Sequence, residues 1–292
     1  MFLGTYPIPN ESTPATLISE QVSHHPPITA YHIDTPYNIT LTGHNGADLS
    51  FAGGSIVVKQ TGHAQLVITL DDNTQETYYI TLPELKIQGL TMFAPYVELD
   101  KRTYIISTTG YLATIDYSGK GWFSGTKNSF SASLSNETEQ LYTISGQWTG
   151  ESTYTVHKNS AQKKIPFWNA TANAPTHVVV APIEKQTPWE SRRIWQNVAE
   201  AIERSDAETA GRYKSAIEIG QRKMREEEKE KGYSWKPRFF TWVDRDETAT
   251  ELRRKLAELT ETKLNGDVGS WKFLPDEEDK AAIESGQLFE RA

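Results

Sequence analysis

The feature that most constrains this chain is a succession of short β-prone segments, separated by turn residues, from residue 28 to about residue 156. Polar and apolar residues alternate with a period of two, as in residues 38–42, and helical periodicity is absent from this part. The Asp-Asp-Asn sequence at residues 71–73 separates two such segments and predicts a hairpin. Consecutive antiparallel strands leave two exposed edges unless the sheet curls, so the pattern predicts a β-barrel. A barrel of more than about eight strands has room inside for a ligand.

The regions on either side of the strands follow other patterns. Three prolines among polar residues predict an irregular segment over residues 1–19. Beyond residue 181, capping residues and apolar spacings of three and four predict three helices. We expect them to begin at Thr187, at Ser205 and at Thr248 or Thr250, the second to end at Lys231 before Gly232 and the third near residues 265–266. The expected fold class is mainly antiparallel β with C-terminal α-helices, in a single domain with a β-barrel part (residues 1–181) and a helical part (residues 182–292).

Composition excludes several classes of protein. The formal net charge of −8 argues against a nucleic-acid-binding protein, because such proteins usually carry a basic surface. No stretch approaches the roughly 20 apolar residues that a membrane span requires, and the N-terminus lacks a signal-peptide pattern. The chain has no cysteine, which excludes a disulfide framework and fits a reducing compartment. We therefore expect a cytoplasmic protein that binds no nucleic acid.

The most specific motif is Glu-Gln-Val-Ser-His-His-Pro-Pro at residues 20–27. Proline lacks an N–H and restricts the residue before it, so His24 and His25 are predicted to lie at the end or edge of a strand. A metal site is one interpretation, although adjacent side chains in a strand point to opposite faces. One packed and one solvated histidine is a second interpretation. The third is an anion site, because imidazoles can donate hydrogen bonds to phosphate.

This motif resembles the signature of the oxysterol-binding protein family of intracellular lipid-transfer proteins. Other segments resemble the family in the same order along the chain, namely residues 118–130, 141–148, 190–193 and 235–240. The resemblance implies an incomplete β-barrel around a lipid tunnel. In the family, a segment with a lid and a ligand-contacting lysine precedes the position of Phe2. We therefore expect this chain to be N-terminally truncated relative to the family.

The resemblance also implies a phosphoinositide headgroup site formed by His24, His25, Lys214, Glu218 and Arg222. The last three residues are spaced i, i+4 and i+8, so they share one side of a predicted helix. Without the resemblance, this stripe fits an ordinary surface ion-pair ladder worth under about 1 kcal/mol per pair. A monoester phosphate carries a charge of about −1.5 to −2 and three acceptor oxygens, which suit two imidazoles and an ammonium. The expected ligand is phosphatidylinositol 4-phosphate.

Two amides are candidates for a second polar site. Asn45 and Gln60 match positions that line the tunnel and hold ligand-associated water in sterol-binding relatives. Buried amides need hydrogen-bond partners, which a sterol hydroxyl and a water molecule can supply. The alternative, that both amides lie at strand ends in solvent, stays open.

We expect a non-enzymatic lipid-transfer protein that exchanges phosphatidylinositol 4-phosphate for a second lipid between membranes. Sterol is the expected second lipid, and phosphatidylserine stays open as the alternative. It would act as a monomer without metal or other cofactor, through transient peripheral contact with endomembranes. Lys120, Trp122 and Lys127 are one candidate for that contact, and residues 235–240 are another, although such aromatic clusters more often pack under the barrel. The alternative function is a phosphoinositide sensor or scaffold that does not transport lipid. Hydrolysis with a histidine base is disfavoured, because the chain has neither a Gly-x-Ser-x-Gly motif nor a cysteine nucleophile.

Overall fold

The computed structural model describes residues 1–90, 93–119, 125–158, 163–262 and 266–290. Strands separated by turns dominate the chain as far as residue 169, as the alternating pattern predicts. They are β1 (Phe2–Tyr6), β2 (Ala15–His24), β3 (Pro27–Asp34), β4 (Ile39–Ala52), β5 (Ser55–Thr69), β6 (Gln75–Thr81), β7 (Glu84–Gln88), β8 (Tyr96–Asp100), β9 (Arg102–Ser107), β10 (Leu112–Ser118), β11 (Ser129–Ser135), β12 (Gln140–Gln147), β13 (Glu151–Val156) and β14 (Ile165–Asn169).

These strands form one 14-stranded antiparallel sheet. The main path runs from β1 through β6 to β9 and on to β14, while β7 pairs with the first part of β5 and β8 pairs with β7. Within the described residues, the end strands β1 and β14 do not pair with each other, so the sheet is not closed. The predicted fold class, an incomplete antiparallel β-barrel followed by helices, is confirmed.

The strand register gives the sheet two distinct faces, because successive side chains point to opposite sides. We call the face that the C-terminal elements cover the outer face, and the opposite one the inner face. One row of paired residues crosses the outer face from β2 to β10 and consists of Ile18, His32, Thr42, Gln65, Tyr79, Ile106 and Leu112. Residues one position away along each strand therefore belong to the inner face.

The helices follow a short 3₁₀ helix (Ile183–Lys185). They are α1 (Ser191–Ile194), α2 (Gln196–Glu203), α3 (Ala207–Lys231), α4 (Glu247–Thr260), α5 (Glu277–Glu284) and α6 (Gln287–Glu290). The predicted end of the second helix is confirmed, because α3 stops at Lys231 and Gly232 adopts the left-handed conformation with φ of 73°.

The predicted helix starts are wrong by a few residues. Residues 187–190 form a turn before α1, in which the Thr187 N–H donates to the Glu190 carboxylate at 2.7 Å. Aspartates, rather than the residues predicted, cap the next two long helices: Asp206 accepts from the Thr209 N–H, and Asp246 accepts from the Ala249 N–H. Both carboxylates satisfy a free N–H of the first helical turn. The helix predicted to reach residues 265–266 ends at Thr260.

The C-terminal part is not purely helical, which corrects the expectation for residues 182–292. Strands β15 (Phe240–Val243) and β16 (Ser270–Phe273) form a separate antiparallel pair, and β16 packs on β3 and β4. Leu252 and Leu256 of α4 are buried against the outer face in a cluster with Tyr79 and Ile106. The helix and the strand pair together cover the outer face.

The aromatic segment at residues 235–240 divides between packing and exposure. Phe239 and Phe240 are buried in a core cluster with Leu3 and Ile18 of the sheet, whereas Trp235 is half exposed. Packing of the two phenylalanines against the sheet agrees with the interpretation that the sequence favoured.

The first residues are regular, although the sequence predicts an irregular segment over residues 1–19. β1 pairs with β2 over its whole length, and the three prolines lie in the connection between the two strands. The other edge of β1 makes one further bridge, in which Thr5 and Val179 exchange backbone hydrogen bonds of 2.8 and 2.7 Å. Among the helices that the structure describes, none is both long enough and apolar enough to cross a membrane.

Candidate functional site

The inner face carries a continuous apolar lining. Two rows of paired residues cross it, one made of Leu17, Ile33, Leu41, Leu66 and Tyr78 and the other of Ile80, Ile105, Ala113, Leu134, Tyr142 and Val156. All these side chains are half buried. Apolar surface that a ligand covers contributes roughly 25 cal/mol per Å² to binding. The inner face can therefore bind a large apolar molecule.

The candidate amides form a polar pair on this lining. Asn45 on β4 donates from Nδ2 to Gln60 Oε1 on β5, and Gln60 donates from Nε2 to the Pro83 carbonyl at 2.7 Å. Both residues are half buried and lie inside long strands, so the alternative position at strand ends in solvent does not hold. No described residue donates to Asn45 Oδ1, which leaves an acceptor for a ligand hydroxyl or a water molecule.

The two signature histidines lie at the turn between β2 and β3. His24 is the last residue of β2, and His25 precedes a cis peptide bond to Pro26. Both imidazoles are exposed, and their ring centroids are 4.2 Å apart. The turn interrupts the alternation of side chains along a strand, so the two rings lie side by side. The predicted strand-end position is therefore correct, and both rings are accessible to a ligand.

The signature glutamate has a structural role that sequence reasoning missed. The Glu20 carboxylate is buried on the outer face and accepts the backbone N–H of Arg238 at 2.9 Å and of Phe239 at 3.0 Å. Arg238 in turn pairs with the Asp279 carboxylate. Glu20 therefore joins β2 to the C-terminal layer, four residues before His24.

The predicted stripe on α3 is present and exposed to solvent. Lys214 Nζ lies 2.7 Å from Glu218 Oε1, and this hydrogen bond together with the lysine charge lowers the pKa of Glu218. Arg222 lies one turn further along and is exposed. No hydrogen bond or ion pair among the described residues joins these three side chains to the histidine pair. The structure brings together Lys214 with Glu218 and His24 with His25.

One α3 residue whose charge acts on His24 is Arg225, which was not among the predicted site residues. Desolvation, followed by the charges of His25 and Arg225, lowers the pKa of His24. Arg225 is three residues beyond Arg222, the spacing of side chains on one helix side, which is the signal that would have identified it. A bound phosphate would oppose these positive charges and favour the protonated imidazole.

Two further expectations concern other parts of the chain. Lys120 and Trp122 lie outside the described residues, and the Lys127 ammonium lies 3.6 Å from the centroid of the Tyr96 ring. Within the described part of the chain, no three His, Asp or Glu side chains form a group that could hold a metal ion.

An open antiparallel barrel with an apolar inner face, and with polar side chains such as His24 and His25 at its rim (the edge that carries the β2–β3 turn), defines a class of proteins that bind apolar ligands. The oxysterol-binding protein family model matches residues 2–261, and this chain belongs to that family. The kes1 protein of Schizosaccharomyces pombe is 45% identical over 263 residues, which cover 88% of this chain and 66% of kes1. The chain thus spans slightly less than two thirds of the length of that relative.

Solved structures share the fold. The ORD domain of Osh1 in complex with ergosterol matches with a TM-score of 0.73 and 21% identity, covering 100% of this chain and 70% of that one. The Osh3 ORD of Saccharomyces cerevisiae in complex with PI(4)P matches with a TM-score of 0.60 and 23% identity, covering 90% of this chain and 73% of that one.

Proposed function

We propose that this protein is a lipid-transfer protein that holds one lipid against its inner face and exchanges phosphatidylinositol 4-phosphate for sterol between membranes. The observation that carries the proposal is the continuous, half-buried apolar lining of the inner face. Within the same family fold, one solved relative holds ergosterol and another holds PI(4)P. Two ligands that occupy one apolar surface would compete for it.

In this proposal His24, His25, Lys214, Glu218 and Arg222 receive the phosphoinositide headgroup. The imidazoles and the Lys214 ammonium donate hydrogen bonds to the phosphate, and Arg222 offers a planar pair of donors. Glu218 holds the lysine in place through their ion pair, or accepts from an inositol hydroxyl. The headgroup would thus be bound by charge at the rim, while its acyl chains lie along the inner face.

Asn45 and Gln60 bind the polar end of a sterol. A sterol hydroxyl can donate to Asn45 Oδ1, directly or through water, while the amide pair keeps its own hydrogen bond and its bond to Pro83. The rings of the sterol would cover the apolar rows on either side.

No covalent step is required by this function, so the protein acts as a carrier and not as an enzyme. Transport follows from competition, since a gradient of one lipid between two membranes can drive the other lipid in the opposite direction. We propose that the protein does this as a monomer in the cytoplasm, with transient contact to endomembranes and without a cofactor.

The test is lipid extraction by the purified chain. Liposomes with phosphatidylinositol 4-phosphate are incubated with protein, and soluble protein-bound lipid is measured before and after addition of a fluorescent sterol. Extraction of both lipids with mutual displacement is the expected result. Phosphoinositide-dependent binding without extraction would favour a sensor or scaffold instead, and phosphate release from the lipid would indicate a hydrolase.

A further inference from the structure

The sheet extends past the β2–β3 turn. The strands β4 and β5 continue beyond Gly46, which pairs with Ile28 at the start of β3, and β7 and β8 are added to β5 along this extension. We call this extension, residues 46–60 with β7 and β8, the wing.

The wing has one apolar face and one polar face. Its apolar face, which continues the inner face, carries two rows of paired residues: Leu49, Val58, Leu85 and Leu99, and Phe51, Ile56, Ile87 and Val97. None of these eight side chains is buried, and Phe51 and Leu49 are 72% and 70% exposed. The opposite face carries the ion pair between Lys86 and Asp100, at 2.6 Å. Exposed apolar surfaces of this kind mark sites of contact.

The hairpin that joins β4 and β5 at the end of the wing is uncharged. Residues 49–58 contain no charged side chain, and the first charges on either side, Asp48 and Lys59, are directly paired in the register. Gly53 and Gly54, with φ of 59° and 77°, form a tight turn, and the strands remain paired as far as Ala52 and Ser55. A paired, uncharged hairpin with exposed large apolar residues is suited to the apolar boundary of a bilayer.

The geometry relates this hairpin to the histidine pair. Gly46 is level with the start of β3, next to the turn that carries His24 and His25. Leu49 lies three residues further out, which at about 3.4 Å per residue is about 10 Å. The headgroup layer of one leaflet is about 5–7 Å thick. With the wing strands along the membrane normal and Leu49 at the acyl boundary, the imidazoles would lie just outside the headgroup layer, at the level that a phosphate on an inositol ring reaches.

We propose that the wing is a membrane-docking surface, which inserts Leu49 and Phe51 at the boundary between headgroups and acyl chains. This inference rests on the proposed function in one respect, because it takes the histidine pair as the site of a lipid headgroup. The favoured occupant is a bilayer because the apolar face of the wing continues into the inner face. A lipid can pass from one to the other beside the single amide pair of Asn45 and Gln60.

The first test uses the absence of cysteine from the chain. Ala52→Cys, at the end of the wing, is labelled with an environment-sensitive dye, and Leu259→Cys on α4 serves as the control position. Vesicles of phosphatidylcholine alone are added, so that neither phosphoinositide nor sterol is present. A blue shift and rise in emission at position 52, and none at position 259, is the expected result. An unchanged emission at position 52 overturns the proposal.

The second test compares two double variants in flotation with the same vesicles. We expect Leu49→Ser with Phe51→Ser to lower vesicle binding at least tenfold. The matched control, Leu259→Ser with Phe167→Ser, removes two exposed apolar side chains elsewhere and should change binding less than twofold. Equal binding by wild type and the wing variant overturns the proposal.

Sedimentation without vesicles tests whether a second copy of the chain, and not a bilayer, covers the wing. A wild-type dimer that becomes a monomer in the wing variant would replace the bilayer with a second copy of the chain, whereas a monomer in both cases supports the bilayer. Lipid extraction without insertion of the wing would overturn docking alone, and insertion without extraction would overturn lipid exchange alone.

Discussion

Single residues of the signature motif serve two different purposes. Glu20 is buried and binds backbone N–H groups of the C-terminal layer, whereas His24 and His25 are exposed at the following turn. The motif therefore couples the position of an accessible imidazole pair to the packing of a distant segment. This division leads to opposite predictions for substitutions only a few residues apart.

Replacing both histidines should affect ligand binding but not folding. We expect His24→Ala with His25→Ala to lower extraction of phosphatidylinositol 4-phosphate more than tenfold, because two donors to the phosphate are lost. Since both side chains are exposed, the urea midpoint should not change. His177→Ala, at another exposed histidine, is the control for extraction. Undiminished extraction by the double variant would contradict the headgroup assignment.

Replacing Glu20 should affect folding. Glu20→Ala leaves the part-buried N–H group of Arg238 and the buried N–H group of Phe239 without an acceptor, which we expect to lower the free energy of unfolding by about 2–4 kcal/mol. Glu20→Gln keeps one acceptor oxygen and should lose less. Urea denaturation measures both. A wild-type midpoint for Glu20→Ala would show that the C-terminal layer does not depend on this carboxylate.

At the scale of elements, the C-terminal layer packs on histidines of the outer face, of which His63 is buried and His32 half buried. His32 stacks on Phe273 of β16 at 4.0 Å between ring centroids, and His63 Nε2 lies 3.0 Å from Ser270 Oγ. A cavity of about 180 Å³ lies beside these contacts and is lined by residues of β3, β4, β5 and β16. Burial lowers the pKa of His32 to about 4 and is the main cause that lowers the pKa of His63 to about 3.

These pKa values predict that the protein is less stable in mild acid. An unfolded histidine titrates near 6.5, so below that pH the unfolded state binds more protons than the folded state. The stability that these histidines contribute is fully present above pH 6.5 and falls as the pH approaches 4 and then 3. Between pH 7 and pH 5 the expected loss is about 2 kcal/mol per histidine, from the difference between the two pKa values.

Urea unfolding at several pH values measures this loss. The positive charges of His44, Lys272 and Arg253 also lower the pKa of His63, whereas the charge of Asp246 raises it. His32→Gln with His63→Gln should flatten the dependence between pH 7 and pH 5, whereas His157→Gln, at an exposed histidine, should leave it unchanged. If the free energy of unfolding of the double variant still fell steeply between pH 7 and pH 5, the acid sensitivity would come from other groups.

The elements differ in how far the sequence could predict them. The long strands and α3 follow from strong alternation, a capping aspartate and a terminal glycine, which are local signals. The strand pair of β15 and β16 joins residues about thirty positions apart in short segments of four residues, so no local pattern marks it. Prolines between β1 and β2 concealed β1, because a short strand between turn residues resembles a loop.

At the scale of the whole molecule, the outer face of the sheet contributes to stability and the inner face is available for binding. The outer face is packed against C-terminal elements, while the inner face keeps its apolar side chains half exposed. Alternation along the strands predicted the sheet, but which face the chain covers depends on packing distant in sequence, such as that of Leu252 and Ile106 in one buried cluster. Helical spacing places Arg225 on the same side of α3 as Arg222, but its influence on His24 exists only in the folded chain.

A bulky side chain on the inner face should block both lipids together. We expect Ala113→Trp to reduce binding of sterol and phosphatidylinositol 4-phosphate to a similar extent, at least fivefold, because both would occupy the same surface. The control, Thr114→Trp, points to the opposite face and should bind both lipids as wild type does. Loss of only one lipid would mean that the two ligands use separate parts of the protein.

The bridge between Thr5 and Val179 makes the barrel mechanically uneven. β1 is attached to β2 over five residue pairs, but to residue 179 by only two hydrogen bonds. Local opening of the barrel wall should therefore occur first at this bridge, which we call the seam, because opening is easiest where the fewest hydrogen bonds must break. Hydrogen exchange should be faster at the Val179 amide than at the Leu17 amide, which is opposite Gly4 on the other edge of β1, and equal protection would describe a uniformly rigid wall. A seam of this kind would let the wall widen sideways around a bulky ligand.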